Sequence, residues 1–206
     1  MKKAILISIK PKYVADILNG KKTIEIRKNC PKQLKGDGVI KPESIDVYIY
    51  CTKGKERLVV LGDDSFYCGM SKRLNGKVVA KFQLNCVEPL THENTQEHEM
   101  TFNDWRTKTL NTQQLHSKAY LTYWEMLAYL GNKQGYAWHI DDLEVFDTPK
   151  ELKEFAQWGF SKYYYSNHDK KPYAVWADKC ERYHFGTEWG DYRGPQNWCY
   201  IEQEEE

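Results

Sequence analysis

The chain has 206 residues, 41% of them hydrophobic and 14% aromatic, enough for one sizeable core and long for a minimal domain. Charged residues make up 29%, and no apolar run approaches the roughly 18 residues that span a bilayer, which excludes a chain embedded by transmembrane helices. A formal net charge of +1 argues against a generic DNA-coating protein.

The opening Met1-Lys2-Lys3 with the apolar run from Ala4 to Ile9 imitates a secretory signal, but the run stops at Lys10 and no small-residue cleavage site follows. It reads instead as a first buried strand, in a chain expected to stay in the cytoplasm. Pro11 stands where a helix can begin, with Val14, Ile17 and Leu18 at helical spacing and Gly20 as a stop, so a short helix is predicted over about 11–19. After Lys22 the period changes to two: Thr23, Glu25 and Arg27 share one strand face, Ile24 and Ile26 the other. The cluster from Asn29 to Gly38 reads as a loop, and Ile45, Val47 and Ile49 alternate as the next strand.

Residues 52–76 hold four glycines and read as a long loop or irregular hairpin, followed by a strand over 77–87. The stretch from Thr91 to Gly135 is predicted as a helical insertion, polar at first and strongly helical from about Ala119 to Leu130. Tyr136 to Phe146 returns to strand. Pro149 is expected to open a helix through about Trp158, within a C-terminal extension over about 148–206, and Trp198 to Ile201 reads as a last short strand before a frayed acidic tail. Tyr163-Tyr164-Tyr165 beside Lys162 is read as packing. The order of elements suits a mixed α+β fold, a small β-barrel with flanking helices, better than an alternating parallel sheet.

Six cysteines stand without a C-x-x-C pair, and the six histidines supply no H-x-x-x-H, so reduced thiols and no metal or cofactor are expected. Phosphate-cradling G-x-x-x-x-G-K and G-x-G-x-x-G loops are absent. The charge, however, is uneven: residues 1–36 carry ten Lys or Arg against Asp16 and Glu25, a local balance of +8 that leaves the other 170 residues at −7. A focused basic patch follows, unless the lysines only solvate one face.

The most specific segment is Gly20-Lys21-Lys22-Thr23-Ile24-Glu25-Ile26-Arg27, which fits G-x-K-x-x-E-x-R at every fixed position. It resembles the signature of the ASCH family, and the resemblance extends to Ile7-Ser8-Ile9-Lys10-Pro11, to Tyr136-Ala137-Trp138-His139-Ile140 and to Pro195-Gln196-Asn197-Trp198-Cys199-Tyr200. Together these look like ASCH proteins of bacteria and their phages. The resemblance implies one PUA-like domain over 1–206, with a cleft beside the signature.

Read physically, Glu25 and Arg27 lie about 7 Å apart along one face of a strand and can pair or share a ligand. A plain surface ion pair between them would contribute about 0–1 kcal/mol. Lys22 can approach the same cleft and receive a phosphate or help set the charge of Glu25. Ser8, Lys10 and Lys12 could rim it and contact phosphates, Lys10 and Lys12 being otherwise plain solvated lysines. Trp138 and Trp198 are candidates for stacking on a base and Gln196 for reading a base edge, although tryptophans more often belong to the core.

Two functions follow. One is a binding module for RNA, another single-stranded nucleic acid or a nucleotide-like ligand, with no membrane partner. The other is an enzyme, with Lys22 and Glu25 as its catalytic pair: some ASCH proteins hydrolyse N4-acetylcytidine, and another subgroup is associated with ribonuclease activity. The hydrolase subgroup has a threonine nucleophile where this chain has Glu25, so efficient N4-acetylcytidine hydrolysis is not expected. Its acidic partner would fall among Glu93, Glu97 and Glu99, without a choice between them. Oligomeric state is not legible in the sequence.

Overall fold

The computed structural model describes residues 2–31, 44–60, 66–69, 74–97, 100–131, 133–157, 175–177, 183–185 and 195–203. These residues gather into two compact units, each assembled from separated segments. The first comprises 1–18, 45–82 and 143–206; the second comprises 19–44 and 83–142.

The first unit begins with β1 (Lys2–Ile9), whose Ala4 to Ile9 are all buried. Such a continuous apolar run needs cover on both faces and neighbours on both edges. It pairs in parallel with β3 (Ile45–Cys51) and antiparallel with β14 (Trp198–Gln203). Between β1 and β3 runs α1 (Pro11–Leu18), with proline at its first position and Val14, Ala15, Ile17 and Leu18 buried, the stripe of an amphipathic helix. Gly20, at φ +70°, takes the left-handed turn that releases the chain.

The hairpin of β4 (Arg57–Val60) and β5 (Phe66–Gly69) packs against α1, so part of the expected loop over 52–76 is ordered strand. With β6 (Lys77–Leu84), β10 (Asp141–Glu151), β11 (Ala156–Gln157), β12 (Val175–Ala177) and β13 (Tyr183–Phe185), the main sheet runs β10-β6-β3-β1-β14-β11-β13-β12. It is curled as a half-barrel. On one face Ala4, Leu6, Tyr48, Tyr50, Val78, Leu152, Phe155 and Ile201 form a core, where the Tyr48 and Phe155 rings meet edge to face at 5.1 Å.

No helix opens at Pro149. Strand β10 continues through Glu151, and only a single 3-10 turn, Leu152–Glu154, follows. The reason is position: β10 is the end strand of its sheet, and an edge strand tolerates the missing N–H of proline.

The second unit has a four-stranded sheet in the order β2-β9-β7-β8, made of β2 (Ile24–Arg27), β9 (Gly135–His139), β7 (Val87–Glu97) and β8 (Met100–Arg106). Its helices α2 (Thr112–Ala119) and α3 (Tyr123–Leu130) bury Leu115, Ala119, Met126 and Leu130 with Ile24, Ile26, Leu90, Trp105 and Ala137. Both helices open on capping boxes, Asn111 with Gln114 and Thr122 with Glu125, and α2 ends at Tyr120 in the left-handed region, φ 48°.

The expected insertion over 91–135 is therefore helical only from Thr112. Its first part is the long β7–β8 hairpin, and the helix expected from Ala119 is two helices divided at Tyr120. The tyrosine run at 163–165 and the acidic residues 204–206 lie outside the described residues.

Candidate nucleic-acid interface

The sequence predicts one polar and one apolar face for the signature strand. Instead all four residues of β2 are buried, and Lys22 just before it is buried as well. Relative exposures are 2% for Lys22, 7% for Glu25 and 6% for Arg27. Glu25 lies between two cations, with Oε2 3.4 Å from Lys22 Nζ and Oε1 3.0 Å from Arg27 Nε. The pairing seen in the spacing is thus an internal ion network rather than a surface pair.

Lys22 has a second task that spacing does not reveal. Its ammonium donates at 2.7 Å to the carbonyl of Ala119, the last residue of α2. A cation at a helix C-terminus satisfies an orphan carbonyl and meets the negative end of the helix dipole. The backbone is fixed beside it, because the Thr23 N–H donates to the Lys118 carbonyl at 2.9 Å and the Ile140 N–H donates to the Thr23 carbonyl at 3.0 Å.

Exposed basic residues stand at both ends of this segment, Lys21 before the network and Lys28 after β2. The Lys28 ammonium lies 5.1 Å from the centre of the Tyr129 ring, within cation–π range, and that ring is itself exposed on α3. Among the described residues, Trp124 and Tyr120 are the other large exposed aromatics, Trp124 at 72%. None of these three rings stands out in the sequence, since their exposure depends on where α2 ends and α3 begins.

Trp138 pairs with Glu25 across β2 and β9, so the structure brings it to the network, but its indole is wholly buried and offers no face to a base. The remaining expected contacts belong to the first unit. Pairing of β1 with β14 sets Ile7 opposite Trp198, and the Ser8 N–H donates to the Asn197 carbonyl at 2.8 Å, which draws Ser8 and the 196–198 segment together. Ser8 is buried, Lys10, Lys12 and Gln196 are exposed, and the half-buried Trp198 ring stands edge-on to Tyr200 at 5.5 Å.

Glu88 is a buried carboxylate that sequence reasoning passed over in favour of Glu93, Glu97 and Glu99. The side chains of Glu93 and Glu97, and all of Glu99, lie outside the described residues. Glu88 Oε1 accepts from Thr109 Oγ1 at 2.7 Å and faces His139 Nε2 at 2.8 Å, while Oε2 accepts from the Thr109 N–H at 3.0 Å. Burial pushes this carboxyl up, but the hydrogen bonds from Thr109, Thr107 and His139 outweigh it and hold the group below its ordinary value. Register puts Glu88 opposite Ala137 and Glu25 opposite Trp138, so the two carboxylates belong to opposite faces of one sheet.

Among the described residues, no helix is long and apolar enough to cross a membrane. No curated protein matches the chain. Among solved structures it is similar to an ASCH protein from Zymomonas mobilis, at 18% identity and a TM-score of 0.43, with 72% of this chain and 73% of that one covered. Two point mutants of the Zymomonas protein are similar at 17% and 19% identity and TM-scores of 0.42 and 0.44; 73% of this chain and 77% and 78% of theirs are covered. The model of the ASCH domain matches residues 7–182, a stretch that holds the whole G-x-K-x-x-E-x-R segment and the β9 segment around Trp138. On that match, the chain belongs to the ASCH domain family.

Proposed function

We propose that this protein binds single-stranded RNA, or a nucleotide of modified base, at the surface around the signature segment. The observation that carries the reading is the exposed Lys28 ammonium over the exposed Tyr129 ring. Lysine for the backbone and an aromatic face for a base are the two components of sequence-tolerant single-strand binding. Lys21 adds a second exposed cation in the same unit, and the sequence from 19 to 36 carries six Lys or Arg against Glu25, a balance of +5 that favours a polyanion.

The buried network supports the same reading from its energetics. Removing charges from water costs several kcal/mol per ion, and apolar residues in place of a buried ion network are often neutral or stabilising by about 1–4 kcal/mol. Lys22, Glu25 and Arg27 are therefore a costly way to hold a strand in place, and their use is to fix the segment from which the exposed Lys21 and Lys28 meet a ligand.

Fluorescence anisotropy of a short labelled single-stranded RNA, titrated across a salt series, tests the proposal. Weak binding with marked salt dependence is expected. Lys21→Ala with Lys28→Ala should lower the slope of log affinity against log salt by about 1–2 units, on a single-strand slope of about 0.7 per phosphate. A separate Lys10→Ala, Lys12→Ala variant examines the first unit in the same way. No binding at low salt, or a slope unchanged in the Lys21, Lys28 variant, would refute the reading.

A further inference from the structure

Cys86, Glu88 and His139 are far apart in sequence, but pairing of β7 with β9 brings them together, and the His139 N–H donates to the Cys86 carbonyl at 3.0 Å. One ligand atom from each, a thiol sulfur, a carboxylate oxygen and an imidazole nitrogen, lies within 4.8 Å of the others. Glu88 is fully buried and the other two are half-buried, so the group sits at the margin of the second unit's core with a path to solvent.

Two arrangements can account for such a trio. A thiol–imidazole–carboxylate relay would place the ring between the other two, separating sulfur from carboxylate by the ring's width and two hydrogen bonds. Here sulfur and carboxylate are within 4.8 Å of each other, so the three donors converge on one point. We infer that Cys86, Glu88 and His139 form a zinc-type metal site, with three protein ligands and a fourth position open to water.

The donor chemistry fits. Zinc takes thiolate, imidazole and carboxylate at about 2.3, 2.0–2.1 and 2.0–2.2 Å, which places tetrahedral ligand atoms about 3.3–3.6 Å apart. The 4.8 Å span thus closes by roughly 1 Å, and the 2.8 Å contact between His139 and Glu88 opens by about half that. A supporting shell is in place, since Thr109 holds Glu88 by both its hydroxyl and its backbone N–H and so aims the carboxylate.

Zinc binding forms bonds to Cys86 Sγ, His139 Nε2 and a Glu88 oxygen. The thiol proton leaves to solvent, and the proton that His139 Nε2 donates to Glu88 leaves that nitrogen as the ring takes one up at Nδ1, so the imidazole stays neutral. One proton is released per metal bound.

Cobalt(II) is the probe, because a thiolate ligand gives it a near-ultraviolet charge-transfer band and a tetrahedral site gives it intense visible bands. Metal-free full-length protein titrated with Co(II) should develop both at one equivalent, and one equivalent of Zn(II) should abolish them. Cys86→Ser, a one-atom change at a half-buried position, should lose the charge-transfer band. His139→Gln, a second variant that leaves every thiol in place, should lose the tetrahedral bands. Thr109→Ala should bind about 10- to 100-fold more weakly with the same spectrum. No charge-transfer band in the wild type, or a band that survives Cys86→Ser, overturns the site and leaves Glu88 and His139 as a hydrogen-bonded pair.

Discussion

Lys22 neutralises a carboxylate and closes a helix with the same ammonium group, which makes it the residue whose loss should be felt most. Lys22→Ala strips the α2 terminus of its cation and leaves Glu25 buried beside Arg27 alone. Breaking a buried pair from one side costs about 3–5 kcal/mol, so chemical denaturation should show a fall of that order. A loss under about 1 kcal/mol would mean that the network is solvated in solution and acts as a surface pair. The spacing of the signature foretold the Lys22, Glu25 and Arg27 association but not its burial, because strand alternation reports which side chains share a face and not what covers that face. The same limit applies to Trp138. The Glu88 and His139 contact is invisible to spacing rules because its partners are 51 positions apart.

Elements with strong periodicity were legible; those decided by neighbours were not. The buried run of β1, the apolar stripe of α1 and the alternation of β3 and β6 appear in the structure within a few residues of their expected limits. By contrast α2 buries only Leu115 and Ala119, too thin a stripe to stand out, and the β7–β8 hairpin is too polar to announce a strand. Pro149 misled because its meaning depends on lying in an edge strand.

Two element-level tests follow from the packing. A Cβ on Gly135 would come within 2.8 Å of Leu130 Cδ2 and 3.0 Å of Leu90 Cδ1, where β9 passes the end of α3. Gly135→Ala should therefore destabilise by about 1–3 kcal/mol in urea unfolding, and a gain would show that the contact relaxes freely. In β14, burial pushes the Cys199 thiol up from 9.0 to about 12. The unfolded chain gives up this proton near pH 9 and the folded chain only near 12, so the contribution is fully present below pH 9 and is lost as pH rises through that window. Stability measured at pH 8 and again near pH 10 should fall less in Cys199→Ala than in the wild type. Equal losses would show that other alkaline groups account for the whole effect.

At the scale of the whole molecule, a net charge of +1 conceals a +8 opening segment, and the signature strand draws its charges into the second unit's interior. The mixed α+β class was legible from the order of elements, and each compact unit is assembled from segments separated in sequence, which periodicity along the chain does not report. On the RNA-binding proposal, the buried Lys22, Glu25 and Arg27 network sets the strand between the exposed Lys21 and Lys28 for a ligand, a task that apolar side chains of similar size would not perform. The direct measurement replaces all three at once with apolar residues of similar size, Lys22→Met, Glu25→Leu and Arg27→Met, and records urea stability and RNA anisotropy on the same preparation. Stability close to or above wild type, well above that of Lys22→Ala alone, is expected, with RNA affinity reduced at least tenfold. A folded triple variant that binds RNA as the wild type does would contradict that role of the network.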